Sequence, residues 1–390
     1  MSPRPAPPRL PRRRLLAAIP AAAVGAMAAR GTAAEGASRR LHALAYEGQW
    51  TDGVRRHLER THGIALDVTV VATPAEALDR VRRATLEGPP GPDRRTRPVD
   101  LVSLGVEDVA AWRGLGLLSP LRADVPVTHR STLSAHGAME GDGRACFLPL
   151  SLGLDVMFAA GADVREAFTA EQPPPWSVLL DPSLKDRVLM EPAAAVWMAL
   201  RLVDADGARL AQAGQDKAAA RDLFKAVNET LAPWRAQLAS VWTDSVTFGA
   251  ALSKARLAGA GRAGLAWDSL ARWLTRTWPG DPPPVATVPA EGSRAWLDGL
   301  AVPVGATAPA TAQRLLKAMT DPAVQALWAK GQNALPADPA AWSRLDEPDA
   351  RWAETVLRNG GGLERLWFPP ALTGPAADAF ADSRDRFEFA

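Results

Sequence analysis

Cysteine, histidine and tyrosine are all scarce in this chain, and each scarcity removes a kind of chemistry. Cys146 is the only cysteine among 390 residues, so no internal disulfide can form. With Phe147 and Leu148 after it, it reads as a buried, inert thiol. The five histidines (His42, His57, His62, His129 and His136) show no H-E-x-x-H or comparable ligand spacing. They read as surface or capping residues, and no metal site is expected. No G-x-S-x-G elbow occurs; Ser103 comes nearest, but Leu101 and Val102 precede it in place of the needed glycine. Gly259–Gly264 spells G-x-G-x-x-G, yet it follows a helical pattern and runs into a strand, the reverse of a dinucleotide loop. Glycine there suits a helix stop. The chain therefore presents no nucleophile, metal set or nucleotide loop, and no catalytic residue or cofactor is expected.

Positive charge is also scarcer than the formal net of +2 implies, because six arginines (Arg4, Arg9, Arg12, Arg13, Arg14, Arg30) and no acid fall in residues 1–34. The remainder carries an acidic excess, which gives a nucleic-acid surface no support. The leader has the parts of a secretory signal: basic Arg12–Arg14, apolar Leu15–Ala29, then small-residue patterns at Ala26-Met27-Ala28 and Gly31-Thr32-Ala33. Its apolar run is interrupted by Pro20 and is short of the ~20 residues of a spanning helix. Arginines directly before Leu15-Leu16 look like a twin-arginine signal. Cys146 is too far from the leader to be a lipid-anchored terminus, so a soluble periplasmic protein, not membrane-spanning and monomeric, is expected.

What the chain has is length and pattern. Hydrophobic residues make up 47% and charged residues 23%, ordinary for a folded protein, and the length favours two domains. From Leu41 onward strand and helix patterns alternate, the mark of an α/β architecture. His42–Tyr46 reads as a strand, Asp52–Thr61 as a helix with Val54 and Leu58 on one face, and Ala65–Val71 as a strand. Thr73-Pro74-Ala75-Glu76 is a capping box that opens a helix to about Glu87. Val99–Ser103 is a buried-type strand, with a helix at Val106–Leu115 behind it. Further on, Arg187–Met190 and Gly264–Trp267 read as strands, and Ala193–Val203, Asp216–Leu231 and Ser245–Leu257 as helices. Val288–Val304 reads as a Pro/Gly-bounded loop carrying Glu291, Trp296 and Asp298, then a strand from Leu300 to Val302. Helices follow at Thr311–Met319 and after Asp321-Pro322, an N-cap acid with proline at the first helical position.

This order resembles the bacterial solute-binding proteins of ABC importers, most of all the spermidine/putrescine-binding branch. The pieces that carry the resemblance are Tyr46-Glu47-Gly48-Gln49-Trp50, Thr61-His62-Gly63-Ile64, Asp100–Ser103, Gly116–Leu121, Phe147–Gly153 and Trp176–Pro182, together with the acidic-aromatic segment before Val304. The resemblance implies a two-lobe periplasmic-binding-protein type II fold with two hinge crossovers, at Pro149–Gly153 and Leu297–Ala301. After a signal peptide at 1–34, one lobe takes 35–149 and 298–390 and the other 150–297. Such a protein captures a small polar solute, an amine or polyamine, in the interlobe cleft and delivers it to an ABC permease, with no chemistry of its own. A secreted α/β enzyme on the same fold, or a binding protein feeding a sensory receptor, are the alternatives.

Fourteen tryptophans against one tyrosine is an unusual ratio. Trp112, Trp273 and Trp328 lie in helical patterns and read as packing residues. Trp50, Trp267 and Trp296 lie at strand-to-loop junctions beside Glu47, Asp268 and Asp298. Aromatic walls beside carboxylates suit an organic cation; three packed tryptophans and three solvated acids are the bland alternative. The resemblance assigns ligand contacts to Tyr46, Glu47 and Trp50 at the first turn, to Ser103, and to Ser151 at the crossover. It adds Trp267 in a second-lobe strand and Trp296 with Asp298 on the return. Departures follow the same map. The second-lobe helix start that usually offers two acids has only Glu191 before Pro192 and three alanines, and the acid after Trp267 comes one position early, at Asp268. With Tyr46 alone, the paired tyrosines of ferric-ion binders are missing. An oxyanion remains a further option, at Ser103 and Gly105 before the helix they introduce.

Overall fold

The computed structural model describes residues 40–87, 97–169, 173–278, 280 and 282–389; the expected leader and its cleavage patterns lie outside these residues. Short-range chemistry sets many of the boundaries. The Asp52–His62 helix begins where Thr51 accepts from Val54 N–H and ends at Gly63, whose φ of 63° closes the last turn. At Pro74–Leu86 the Thr73 hydroxyl accepts from Glu76 N–H at 3.2 Å. The Glu76 carboxylate reaches back to Ala72 N–H at 2.9 Å, one residue earlier than a standard capping box. Asp321 caps the Pro322–Gly331 helix as its Asp-Pro pair predicts.

The strands are β1 (Arg40–Ala45), β2 (Ala65–Val70), β3 (Leu101–Gly105), β4 (Leu118–Ser119), β5 (Leu148–Ala160), β6 (Val188–Met190), β7 (Leu238–Val241), β8 (Arg262–Trp267), β9 (Val285–Thr287), β10 (Ser293–Pro303), β11 (Leu335–Pro336) and β12 (Leu366–Trp367). The main path runs β2-β1-β3-β10-β5-β8-β6-β7. Its two ends are parallel units, β2-β1-β3 and β8-β6-β7, each covered by helices as parallel strands require. Between them lie the long antiparallel strands β5 and β10. β5 pairs with β10 over Leu148–Leu154 and with β8 over Asp155–Ala160, so the chain passes on it from one half to the other. β10 carries it back, pairing with β3 from Asp298 to Ala301.

Two apolar cores flank this pair. One gathers Leu44, Leu101, Val102, Leu300, Trp328 and Trp342. The other gathers Met157, Val188, Leu200, Phe224, Trp234 and Leu265. The end of the chain joins the second core: the Gly374–Glu388 helix packs on Pro192–Val203 and Lys217–Arg235, with the Phe380 ring 4.9 Å from Trp197 and 6.4 Å from Phe224.

Several expectations need correction. Residues 293–299 are strand, not loop. Ser293, Ala295 and Leu297 are buried and alternate with half-buried Arg294, Trp296 and Asp298, a period of two masked by the surrounding glycines and prolines. A register shift falls between Asp298 and Gly299, where a Cβ would stand 2.0 Å from Leu148 O. Trp273 is 41% exposed, so its helical spacing did not make it a core residue. His42 and His136 are buried, each bridging chain segments: His42 touches Pro98 O and Thr69 Oγ1, His136 touches Thr132 O and Pro369 O. Cys146 is buried as expected, its thiol pushed up to about 11 by burial. The last glycine of the G-x-G-x-x-G run, Gly264, has φ 149°, and a Cβ there would meet Leu189 O at 1.9 Å; its work is close strand packing. Among the described residues no helix is long and apolar enough to cross a membrane.

Candidate functional site

Residues paired across antiparallel strands share a face of the sheet, as do residues two apart along a strand. β10 pairs Trp296 with Gly153 and Asp298 with Ser151 on one side, and Asp298 with Gly105 and Leu300 with Ser103 on the other. Ser103, Ser151, Gly153 and Asp155 therefore lie on one face with Asp298, Trp296 and Arg294. The row starts with hydroxyls and acids, passes an indole, and ends in an ion pair. Gly153 makes the middle possible, since a Cβ there would stand 2.2 Å from the Trp296 ring.

At the first end Tyr46 follows β1, and Glu107 and Asp108 occupy the first turn of the Val106–Gly114 helix, where the helix dipole favours negative charge. Glu107 folds back over Gly105, where a Cβ would meet its carboxylate at 2.5 Å. Asp298 is half-buried; burial first, then the charges of Glu107 and Asp108, push its carboxyl up to about 7. Burial and the Glu107 charge raise Asp108 to about 6. The Tyr46 hydroxyl is raised by burial and by Asp108, Asp298 and Glu107. Its oxygen, Ser103 Oγ and Ser151 Oγ are all buried without a protein hydrogen-bond partner. Buried polar groups left in this state cost stability unless something else meets them.

At the other end Arg294 donates from Nε and Nη2 to Asp155 at 2.8 and 3.2 Å, and its Cζ lies 5.1 Å from the centre of the Trp296 ring. Glu191 accepts from Ala193 N–H at 3.0 Å and Ala194 N–H at 2.6 Å, capping the Pro192–Val203 helix. It is close enough to Asp155 and Arg294 to feel both charges, and burial, the larger influence, raises its carboxyl. Asp155, Ala194, Arg201, Arg294, Trp176 and Trp367 line a narrow cavity behind the pair, with the Arg201 guanidinium over the Trp367 ring.

The fold thus brings together Tyr46, Ser103, Ser151, Trp296 and Asp298 of the residues expected from sequence, with Glu191 beside the far end. The remaining candidates are placed otherwise. Trp50 is buried edge-on against Trp328 at 4.6 Å in the first core. Trp267 leans on Trp242 at 5.2 Å. Asp268 is buried; it accepts from Leu154 N–H at 3.1 Å and pairs with Arg272 at 3.0 Å, which also meets Asp349 at 3.0 Å. Asp268 is thus committed to the fold. Glu47 is exposed.

The helix start after Ser103 and Gly105 is lined by two carboxylates, which repel the oxyanion it was offered for. Glu107 and Asp108 were the residues missed, although two acids just after a strand's carboxyl end are a readable sign in an α/β sheet. Arg294 was missed with the strand period that aligns it with Trp296 and Asp298. Among the described residues no group of three or more His, Cys, Asp or Glu could hold a metal ion.

Solved structures share this architecture. The spermidine/putrescine ABC transporter substrate-binding protein PotD from Streptococcus pneumoniae matches with a TM-score of 0.66 at 12% identity, over 90% of this chain and 98% of that one. The Tp0655 (TpPotD) lipoprotein of Treponema pallidum matches with a TM-score of 0.59 at 15% identity, over 90% and 100% of the two chains. MotA from A. tumefaciens, in complex with glucopine, matches with a TM-score of 0.55 at 14% identity, over 89% and 100%. At such identities the likeness is one of fold, the two-lobe periplasmic-binding-protein type. No curated protein sequence matches the chain. The family model of bacterial extracellular solute-binding proteins matches residues 57–354, and with most of its length so covered the chain belongs to that family.

Proposed function

We propose that this protein is exported to the periplasm, captures a small organic cation between its lobes and delivers it to an ABC permease. The observation that carries this reading is the Tyr46 end of the row. There Asp108 and Asp298 are raised by burial and by neighbouring carboxylates, with no basic side chain among the described residues to offset them. Carboxylates held together in a desolvated place favour protons or a cation, and an ammonium leaving water needs paired, hydrogen-bonding partners. Tyr46, Ser103 and Ser151 supply three uncommitted hydroxyls. Trp296 adds an aromatic face that packs an alkyl chain and attracts positive charge. A fold relative named as a spermidine/putrescine-binding protein is in keeping with this chemistry.

In this reading the first lobe takes 35–149 and the chain from 298, the second takes 150–297, and the C-terminal helix goes with the second because it packs there. Pro149–Gly153 and Leu297–Ala301 are the hinges. Ligand shifts the lobes toward closure by no more than its difference in affinity for the two states. The working unit is a monomer. The test is a thermal-shift screen of amines, amino acids, carboxylates and phosphonates, since a ligand of the folded state raises apparent stability by mass action. Amines are expected to stabilise the wild type and to do so far less in Asp298→Asn. Stabilisation confined to anions and indifferent to Asp298→Asn would overturn the reading.

A further inference from the structure

The sequence map leaves one feature of the row without a role. Arg294 is a cation already installed where an organic cation would be expected to lie. Its guanidinium stacks on Trp296 at 5.1 Å, is held by both oxygens of Asp155 at 2.8 and 3.2 Å, and stands near Glu191. An indole face with two carboxylates beside it has the makings of an ammonium site. Trp296 is two residues from Asp298 along β10, about 7 Å, the reach of a short diamine whose first amine is held by Asp298. The second amine would then meet the guanidinium, and opposing like charges in a confined site is costly. Glu191 is tied to the helix start by the N–H groups of Ala193 and Ala194, so its charge is fixed beside Arg294 and does not turn toward an incoming amine.

We propose that Arg294 sets the specificity of this cleft: its guanidinium, clasped by Asp155 over Trp296, fills the place of a second ammonium and restricts the protein to solutes with a single cationic group at the Tyr46 end. The proposal rests on the reading of that end as a cation site. The Arg294 side chain is 18% exposed and Asp155 4%, so the pair is part of the wall and stays in place when the solute changes.

Calorimetric titration of the full chain near pH 8 with butylammonium and 1,4-diaminobutane tests this. Wild type should prefer the monoamine at least tenfold. Arg294→Met, which frees Trp296 and Asp155, should lower that ratio at least tenfold. Asp155→Asn with Arg294→Met removes both members of the ion pair and covers the case in which the single variant fails to fold. It should retain little discrimination, because the cation over Trp296 is gone and Arg201 lies over Trp367 instead. Wild type taking both amines equally, or either variant keeping the wild-type ratio, would overturn the role of Arg294 while leaving the cation site intact. If neither amine binds any of the three proteins, the cation site itself is refuted and the inference with it.

Discussion

At the Tyr46 end of the row Glu107, Asp108 and Asp298 crowd together without a basic partner among the described residues, and three buried hydroxyls have no hydrogen-bond partner there. Beyond Trp296 the carboxylates are engaged: Asp155 by Arg294, half-buried Glu191 by two helix N–H groups, Asp268 by Leu154 N–H and Arg272. Both groups of acids lie close to tryptophans and both are withdrawn from water. The difference is what each one faces. An acid that has found a partner inside the chain holds strands and helices in place, whereas one left among like charges destabilises the protein unless a proton or a cation joins it.

Matched substitutions can break this comparison. Asp268→Ala should be the most damaging, because it strands Arg272, 1% exposed, and removes the acceptor of a crossing-strand N–H. Breaking one side of a buried pair costs about 3–5 kcal/mol, which chemical denaturation would register; the contact of Arg272 with Asp349 places the loss toward the lower figure. Asp298→Asn should do the reverse, leaving the empty protein as stable or more so while weakening amine binding by about 2–5 kcal/mol. Equal destabilisation by the two changes would erase the distinction between engaged and unengaged acids.

Proton linkage sharpens the same point. Asp298 is raised in the folded protein to about 7, so between the ordinary carboxylate range near ~4 and that value the folded state holds a proton that the unfolded state has released. The resulting stabilisation is complete below the unfolded value and is lost as pH rises through about 7. The difference in stability between wild type and Asp298→Asn should therefore change across that window in favour of wild type at lower pH. Amine binding should run the other way, since the cation must displace the proton. A fall in affinity of roughly tenfold from about pH 8 to about pH 6 is expected for one such group. Calorimetry at the two pH values would show it, and a flat profile would mean that Asp298 is not the counter-charge.

The sequence made the frame legible where the signal is local. Thr73 and Asp321 marked helix starts because capping acts within a few residues. Trp296 and Asp298 were found beside each other for the same reason. The fate of an acid is harder to read. Asp268 and Arg272 are four apart on one helix and could have been recognised as a pair, but Asp155 and Arg294 are separated by 139 positions and meet only because β5 and β10 are neighbours. The convergence of Glu107 and Asp108 on Asp298 likewise depends on the pairing of β3 with β10. Sequence supplied the residue types of the site; the order of strands decided which of them are free.

The middle of the row has its own test, of intermediate size. Gly153→Ala puts a methyl 2.2 Å from the Trp296 ring, so the indole must swing out or the crossing strands must part. Overpacking of this kind costs about 1–3 kcal/mol of stability, and loss of the aromatic face should weaken amine binding by about 0.5–2 kcal/mol. Stability and affinity both unchanged would mean that Trp296 does not line the solute.

Glu47 should give the smallest effect, and it tests the comparison from outside. Its position next to Tyr46 and near Trp50 made it a natural counter-charge, yet Trp50 turns into the core against Trp328 and Glu47 is left exposed. An exposed carboxylate is solvated and screened, and attracts a cation only weakly. Glu47→Gln should thus change amine affinity by no more than about fivefold, less at high salt, and should act on association more than on dissociation, as a rim charge does. Stopped-flow measurement at two ionic strengths would separate those rates. A large, salt-independent rise in the dissociation rate would show that Glu47 folds inward over the bound solute and that the engaged and unengaged acids are not the whole of the site.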